Sequence, residues 1–231
     1  MHRFLPCLAL IAACAASASP AAPGCPRNNA PVTERFISAD CPDCWAAAQG
    51  ADTPAGWLFD WITPAAQGPD AELAAAAPLE ARERAERAGA APPPGGEKRV
   101  SPGSGERQAS PQRRTRLPGP KLQVQSGPAW NGYFGLQLDV RGTLPAGSSG
   151  WLALVEMLPA GSEGSRIERQ LVRSVAGPLP LDGAGSPRGL RHLRALRWPE
   201  SAQPTRLQAR GWIEGPDGRL LAVAADRCAA H

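Results

Sequence analysis

Histidine is scarce. His2, His192 and His231 are the whole supply in 231 residues, and their spacing repeats no metal-ligand pattern, so no metal is expected. The chain also has no G-x-S-x-G elbow, no H-E-x-x-H pair and no glycine-rich phosphate loop. That removes the common hydrolase, zinc-protease and nucleotide-binding readings, and no cofactor is implied. Past the first residues, no apolar run is long enough to span a bilayer. Tyrosine occurs once and phenylalanine four times, against seven tryptophans. Lysine is far outnumbered by arginine, and the formal charge is only +4. With 26 prolines and 25 glycines, this is the pattern of GC-rich coding rather than of a nucleic-acid partner, and none is expected.

What is present begins with an export signal. His2-Arg3 is a basic start, Phe4 to Ala13 an apolar stretch, and Ala16-Ser17-Ala18 a small-residue cleavage site, giving a signal peptide over residues 1–18. Ile11-Ala-Ala-Cys14 resembles a bacterial lipobox. The alternative is therefore a lipoprotein signal over residues 1–13, with Cys14 as a lipid-bearing first residue anchoring the chain to the cell envelope. Either route places the protein in the periplasm or outside the cell, in an oxidising compartment.

Ordinary cleavage leaves Cys25, Cys41, Cys44 and Cys228, which allow three pairings. Cys41 and Cys44 most naturally close on each other. Cys25 and Cys228 lie near the two ends of the mature chain, and ends often meet on a domain surface. A structural Cys25–Cys228 bridge is expected, stabilising by roughly 4–5 kcal/mol in the chain-entropy picture.

Three zones follow the signal. Residues 30–89 carry the C-x-x-C and read strand (Val32–Ser38), helix (Cys41–Gln49), strand (Trp57–Ile62), helix (Pro69–Ala88), with Pro78 breaking or kinking the last. Residues 90–120 are rich in Pro, Gly and Arg and read as a flexible basic linker. Residues 121–228 read as an antiparallel β-sandwich built from Leu122–Gln125, Tyr133–Arg141, Trp151–Met157, Arg166–Val175, His192–Trp198, Arg206–Ile213 and Leu220–Ala225. The fold class is thus α+β, and the tryptophans read mainly as core anchors.

A C-x-x-C between a strand and a helix is the position of the redox dithiol in thioredoxin-type proteins. Cys41 falls at the helix start, where free N–H groups stabilise a thiolate, and Pro42 suits the first helical position. Asp40 and Asp43 oppose that stabilisation. Cys41 is expected as the attacking sulfur and Cys44 as the more buried resolving one. Glu34 and Asp60 are candidates for a carboxylate near the pair that moves the resolving proton.

The segment Glu34-Arg-Phe-Ile-Ser-Ala-Asp-Cys-Pro-Asp-Cys44 resembles the E-L-F-T-S-x-x-C-x-x-C signature of an uncharacterised family of secreted, thioredoxin-like bacterial proteins. Phe59-Asp60-Trp61 is similar to that family's second strand, Glu83-Arg84-Ala85 to its Arg-rich helix, and Gly161-Ser-Glu-Gly164 with Leu171-Val-Arg173 to its C-terminal β region. The resemblance implies an abbreviated thioredoxin-like α/β domain, a dithiol at Cys41 and Cys44, and a β-rich C-terminal domain. It also implies a cis-proline loop facing the dithiol, for which Ser101-Pro102 is the candidate.

Two functions follow as expectations. One is an exported thiol–disulfide protein working on a protein thiol or disulfide partner through Cys41 and Cys44. The other is a non-catalytic binding or structural protein of the envelope, with both cysteine pairs as staples.

Overall fold

Val32–Ser38 and Trp57–Thr63 are buried almost end to end, as strands covered on both faces are, although the first carries Thr33, Glu34 and Arg35. In the computed structural model, which describes residues 32–47, 57–101 and 119–226, these two strands (β1 and β2) are parallel neighbours inside a seven-stranded sheet. The expected signal, Cys14, Cys25, Cys228 and most of the basic segment lie outside the described residues.

Between β1 and β2 sits a helix of five residues, α1 (Pro42–Ala46). It is shorter than expected because Ala47 turns to extended backbone. The second expected helix is also trimmed. Gly68–Asp70 and Ala74–Ala76 are single 3-10 turns, and only α2 (Glu80–Arg87) is α-helical. Pro78, lacking an N–H, cannot sit inside a continuous helix. Instead its carbonyl accepts the Ala81 N–H and opens the following turn. Gly89, at φ +61, closes α2 at the left-handed position. Among the described residues, no helix is long and apolar enough to cross a membrane.

The segment expected to be linker holds a strand, β3 (Glu97–Val100), antiparallel to β1. Pro93 to Gly96 make the turn before it: Gly96 N–H donates to the Pro93 carbonyl and Gly95 takes φ +63. Proline second and a positive-φ glycine third is the type II arrangement. Composition hid this strand, since Glu97-Lys98-Arg99 gives no apolar signal.

Seven strands follow, close to their expected places: β4 (Lys121–Trp130), β5 (Tyr133–Arg141), β6 (Ser149–Leu158), β7 (Arg169–Pro180), β8 (Leu190–Arg197), β9 (Leu207–Glu214) and β10 (Leu220–Ala225). They do not form a separate body. The large sheet runs β10-β9-β6-β7-β2-β1-β3, so β2 joins β7 directly, in parallel, with Asp60 opposite Leu171. The second sheet is β4-β5-β8.

Three layers result. On one face of the large sheet, Phe36, Phe59, Trp61, Trp151 and Trp212 pack under Ala81 and Ala85 of α2. On the other face, Leu152, Leu154 and Ile213 meet Leu122, Leu136 and Leu138 of the small sheet. Beside that sandwich, α1 and the 3-10 turns cover Ile37, Ile62, Leu158 and Leu171. Gly211 marks how closely the sheets approach, since a Cβ there would lie 2.7 Å from both Leu138 and Val124.

Candidate functional site

The chain leaves β1 through a turn in which Cys41 N–H donates to the Ser38 carbonyl, and Cys41 caps α1. Cys41 and Cys44 are bonded as a disulfide, with Cα atoms 5.3 Å apart. The Cys41 sulfur also accepts the Cys44 N–H at 3.3 Å, a contact that would stabilise negative charge on it. Burial runs opposite to expectation. Cys41 is 7% exposed and belongs to the core under α1, whereas Cys44 is half-buried. The side of the disulfide facing solvent is therefore Cys44.

The segment beside the disulfide is Gly95, at the end of Pro92-Pro-Pro94, whose peptide bonds are not cis; Pro102 of the expected Ser101-Pro102 lies outside the described residues. Cys44 Sγ lies 3.9 Å from the Gly95 carbonyl oxygen, and Gly95 N–H donates to Asp40 Oδ1 at 2.9 Å. Ser101 stands at the opposite end of β1, its hydroxyl 3.2 Å from that of Thr33. Asp40, expected only to oppose a thiolate, instead ties the loop to the turn. Hydrogen bonds from the Ser38 side chain and the Gly95 backbone hold its carboxyl below the ordinary aspartate range.

Trp45 and Arg169 fix α1 to the β region. The buried Trp45 indole donates to the Glu163 carbonyl at 2.6 Å. Arg169, on β7, lays its guanidinium 4.8 Å from the centre of the Trp45 ring. It donates to the carbonyls of Trp45 at 2.5 Å, Ala47 at 3.1 Å and Cys44 at 3.5 Å. A helix end leaves such carbonyls without intrahelical partners, and a cation there satisfies them. The loop carrying Glu163 is the Gly161–Gly164 segment, so the sequence echo in the β region is the surface on which α1 sits.

Neither candidate carboxylate is free to move a proton for the dithiol. Asp60 does lie on the α1 side of the sheet, but it is locked. It accepts from Arg35, accepts the Gln170 N–H at 3.0 Å, and has Arg169 Nη1 at 3.7 Å. Burial pushes its carboxyl upward against the pull of Arg35 and Arg169. Burial, joined by repulsion from Arg35, brings the Arg169 pKa down to about 10. Glu34 is on the far face, because alternate β1 residues point to opposite sides. There it takes Arg84 of α2 in two hydrogen bonds, at 2.9 and 2.5 Å, and Arg84 also reaches Glu214 at 2.5 Å. Burial pushes the Glu34 carboxyl up, with Arg84 opposing.

The sheet thus carries two buried ionic triads of opposite excess. Two guanidiniums share Asp60 on the α1 face, and two carboxylates share Arg84 on the α2 face. Sequence reasoning missed Arg169 and the Gly95 loop. The available signal was the charge embedded in apolar strands: charges rarely stay buried unless paired.

No family model, no curated protein and no solved structure matches this chain.

Proposed function

We propose that the protein is an exported thiol–disulfide exchange protein acting through Cys41 and Cys44 on a protein partner. The observation that carries this reading is the asymmetry of the pair: Cys44 reaches solvent, while the buried Cys41 sulfur is held by the Cys44 N–H. The order β2-β1-β3, with β1 and β2 parallel, β3 antiparallel and the cysteines at the exit of β1, supports an abbreviated thioredoxin-like unit. Under this reading a partner chain would meet the pair beside the Gly95 loop, whose carbonyl lies 3.9 Å from Cys44 Sγ.

In the reduced state, the Cys44 thiolate attacks one sulfur of a partner disulfide and the other partner sulfur leaves as thiolate. Cys41, as thiolate, then attacks Cys44 Sγ. The Cys41–Cys44 bond re-forms and the second partner thiolate is released. Two electrons pass to the partner, and protons released by the cysteines go to solvent. A second dithiol protein must return the electrons. Run backward, the same steps oxidise a dithiol. This assigns entry to Cys44 and resolution to Cys41, the reverse of the order suggested by sequence.

Trapping tests the assignment. Cys41→Ser should accumulate a mixed disulfide through Cys44 with a disulfide-containing model peptide, and Cys44→Ser should not. If neither variant is trapped by any disulfide while both stay folded, the pair is a staple across the first turn of α1, as an envelope structural protein would use it. Palmitate labelling of wild type against Cys14→Ser decides between lipid anchoring and ordinary cleavage.

A further inference from the structure

Five of the seven tryptophans, Trp45, Trp57, Trp61, Trp151 and Trp212, are buried, and Trp198 packs on Phe134 with ring centres 5.0 Å apart. Trp130 is 75% exposed. It ends β4, directly opposite Tyr133, itself 46% exposed, across a two-residue turn of Asn131 and Gly132 at positive φ. This is a tight hairpin holding two aromatic rings in solvent.

The rings border the outer face of the small sheet. Alternation along β5 sends Leu136, Leu138 and Val140 inward, so Tyr133, Gly135, Gln137 and Asp139 line the outer face. Their neighbours on β8 are Arg197, Ala195, Leu193 and Arg191, and Gln125 of β4 flanks Gln137. Gly127 and Gly135 carry no side chain and Ala195 only a methyl. The middle of the face is therefore an open trough of about 540 Å³, bordered also by Gln125, Gln137, Leu193 and Arg194, within the size range of ligand sites. Its floor on β5 runs from Gly135 to Gln137, about 7 Å at the usual rise per strand residue, with Tyr133 and Trp130 standing beyond the Gly135 end.

We infer that this trough binds an oligosaccharide whose rings carry carboxylates. Trp130 and Tyr133 offer flat apolar surfaces to a sugar ring. The Gln125 amide offers a donor and an acceptor to hydroxyls, and Gln137, whose amide nitrogen donates to Asp139, offers its oxygen as an acceptor. The charge of the face selects an acidic sugar. Among the described residues the carboxylate on that face, Asp139, is already engaged by Arg191 at 2.7 Å. Lys121, Arg141 and Arg197 are exposed on this face, and among the described residues none of them forms an ion pair. A polypeptide strand is a poor match for the trough floor: β5 is the central strand and is paired on both sides, leaving no free backbone ladder. A bilayer is a poor match for the amide rows, whose dehydration would go uncompensated.

Titrating the intact oxidised protein with tetragalacturonate, using tryptophan fluorescence and calorimetry, tests this. Cellotetraose is the uncharged control, and phosphatidylglycerol vesicles are a further arm. Binding should be saturable, specific to the acidic sugar and weakened by salt. Trp130→Ala should weaken it roughly five- to tenfold, and Arg141→Ala with Arg197→Ala should weaken it further. Gly135→Leu should abolish it, since a Cβ there meets nothing within 4 Å and the side chain fills the trough. A thermal melt checks that Gly135→Leu is folded; Trp130, being exposed, carries the test alone if it is not. No binding of tetragalacturonate, binding indifferent to Trp130→Ala, or Trp130-dependent binding to vesicles alone each overturns the inference. None of these readouts depends on the state of Cys41 and Cys44, so the outcome is separate from that of the redox proposal.

Discussion

Replacing Arg169 with alanine should loosen α1 from the sheet. The variant loses charge-assisted hydrogen bonds to the Trp45 and Ala47 carbonyls, at about 1.5–3 kcal/mol each. It also loses a cation–π contact with Trp45, worth about 0.5–2 kcal/mol. Against this stand the relief of burying a guanidinium, which costs several kcal/mol, and the removal of repulsion with Arg35. Asp60 keeps Arg35 as a partner, so no carboxylate is orphaned. We expect a net loss of about 3 kcal/mol, a fall in melting temperature of roughly 6–12 °C for a chain of this size. Urea unfolding measures the loss, and amide exchange locates it at Trp45 to Ala47 before the rest of the sheet opens. Arg169→Lys should recover part of it, because one ammonium cannot both stack on Trp45 and serve three carbonyls. A loss below about 1 kcal/mol in the alanine variant, with unchanged protection along α1, would refute the idea that this side chain holds the helix.

Asp40 gives the clearest pH dependence. Its folded pKa lies below the ordinary 3.8, so its contribution is complete above that value and fades as pH falls through the folded pKa. The protection factor of the Gly95 amide should drop in that acid range in wild type, and be low and nearly pH-independent in Asp40→Asn; equal acid curves for both would dismiss the clamp. Gly211→Val should destabilise by about 1–3 kcal/mol through overpacking between the sheets, read by urea unfolding with an unchanged slope. A neutral result would mean that the small sheet can shift outward freely.

Much of the fold was legible where strands carried strong period-two or wholly apolar runs. Tyr133–Arg141 and Leu220–Ala225 fall where patterning put them, and Val32–Ser38 was legible from its β-branched and aromatic residues instead. What escaped was the joining of the two halves. The pairing of β2 with β7 is non-local, and nothing in either strand alone declares its neighbour. β3 escaped because an edge strand of four residues, Glu-Lys-Arg-Val, buries little. At the site, the C-x-x-C, its helix start and the disulfide were readable from spacing. The burial order of the two sulfurs was not, because it depends on α1 lying against Leu158 and Leu171 from distant strands. Asp60 and Glu34 were visible as charges in apolar strands, but their partners Arg169 and Arg84 are far along the chain, and those partners decide that neither acid is free.

The central claim is that Cys41 and Cys44 exchange electrons with a partner rather than merely bracing a turn. Equilibrating the protein in glutathione buffers of graded poise, with acid quenching and alkylation read by mass spectrometry, tests it most directly. The account predicts a potential above about −250 mV, with equilibrium reached quickly through Cys44. A potential below about −300 mV, the range of structural disulfides, would contradict it.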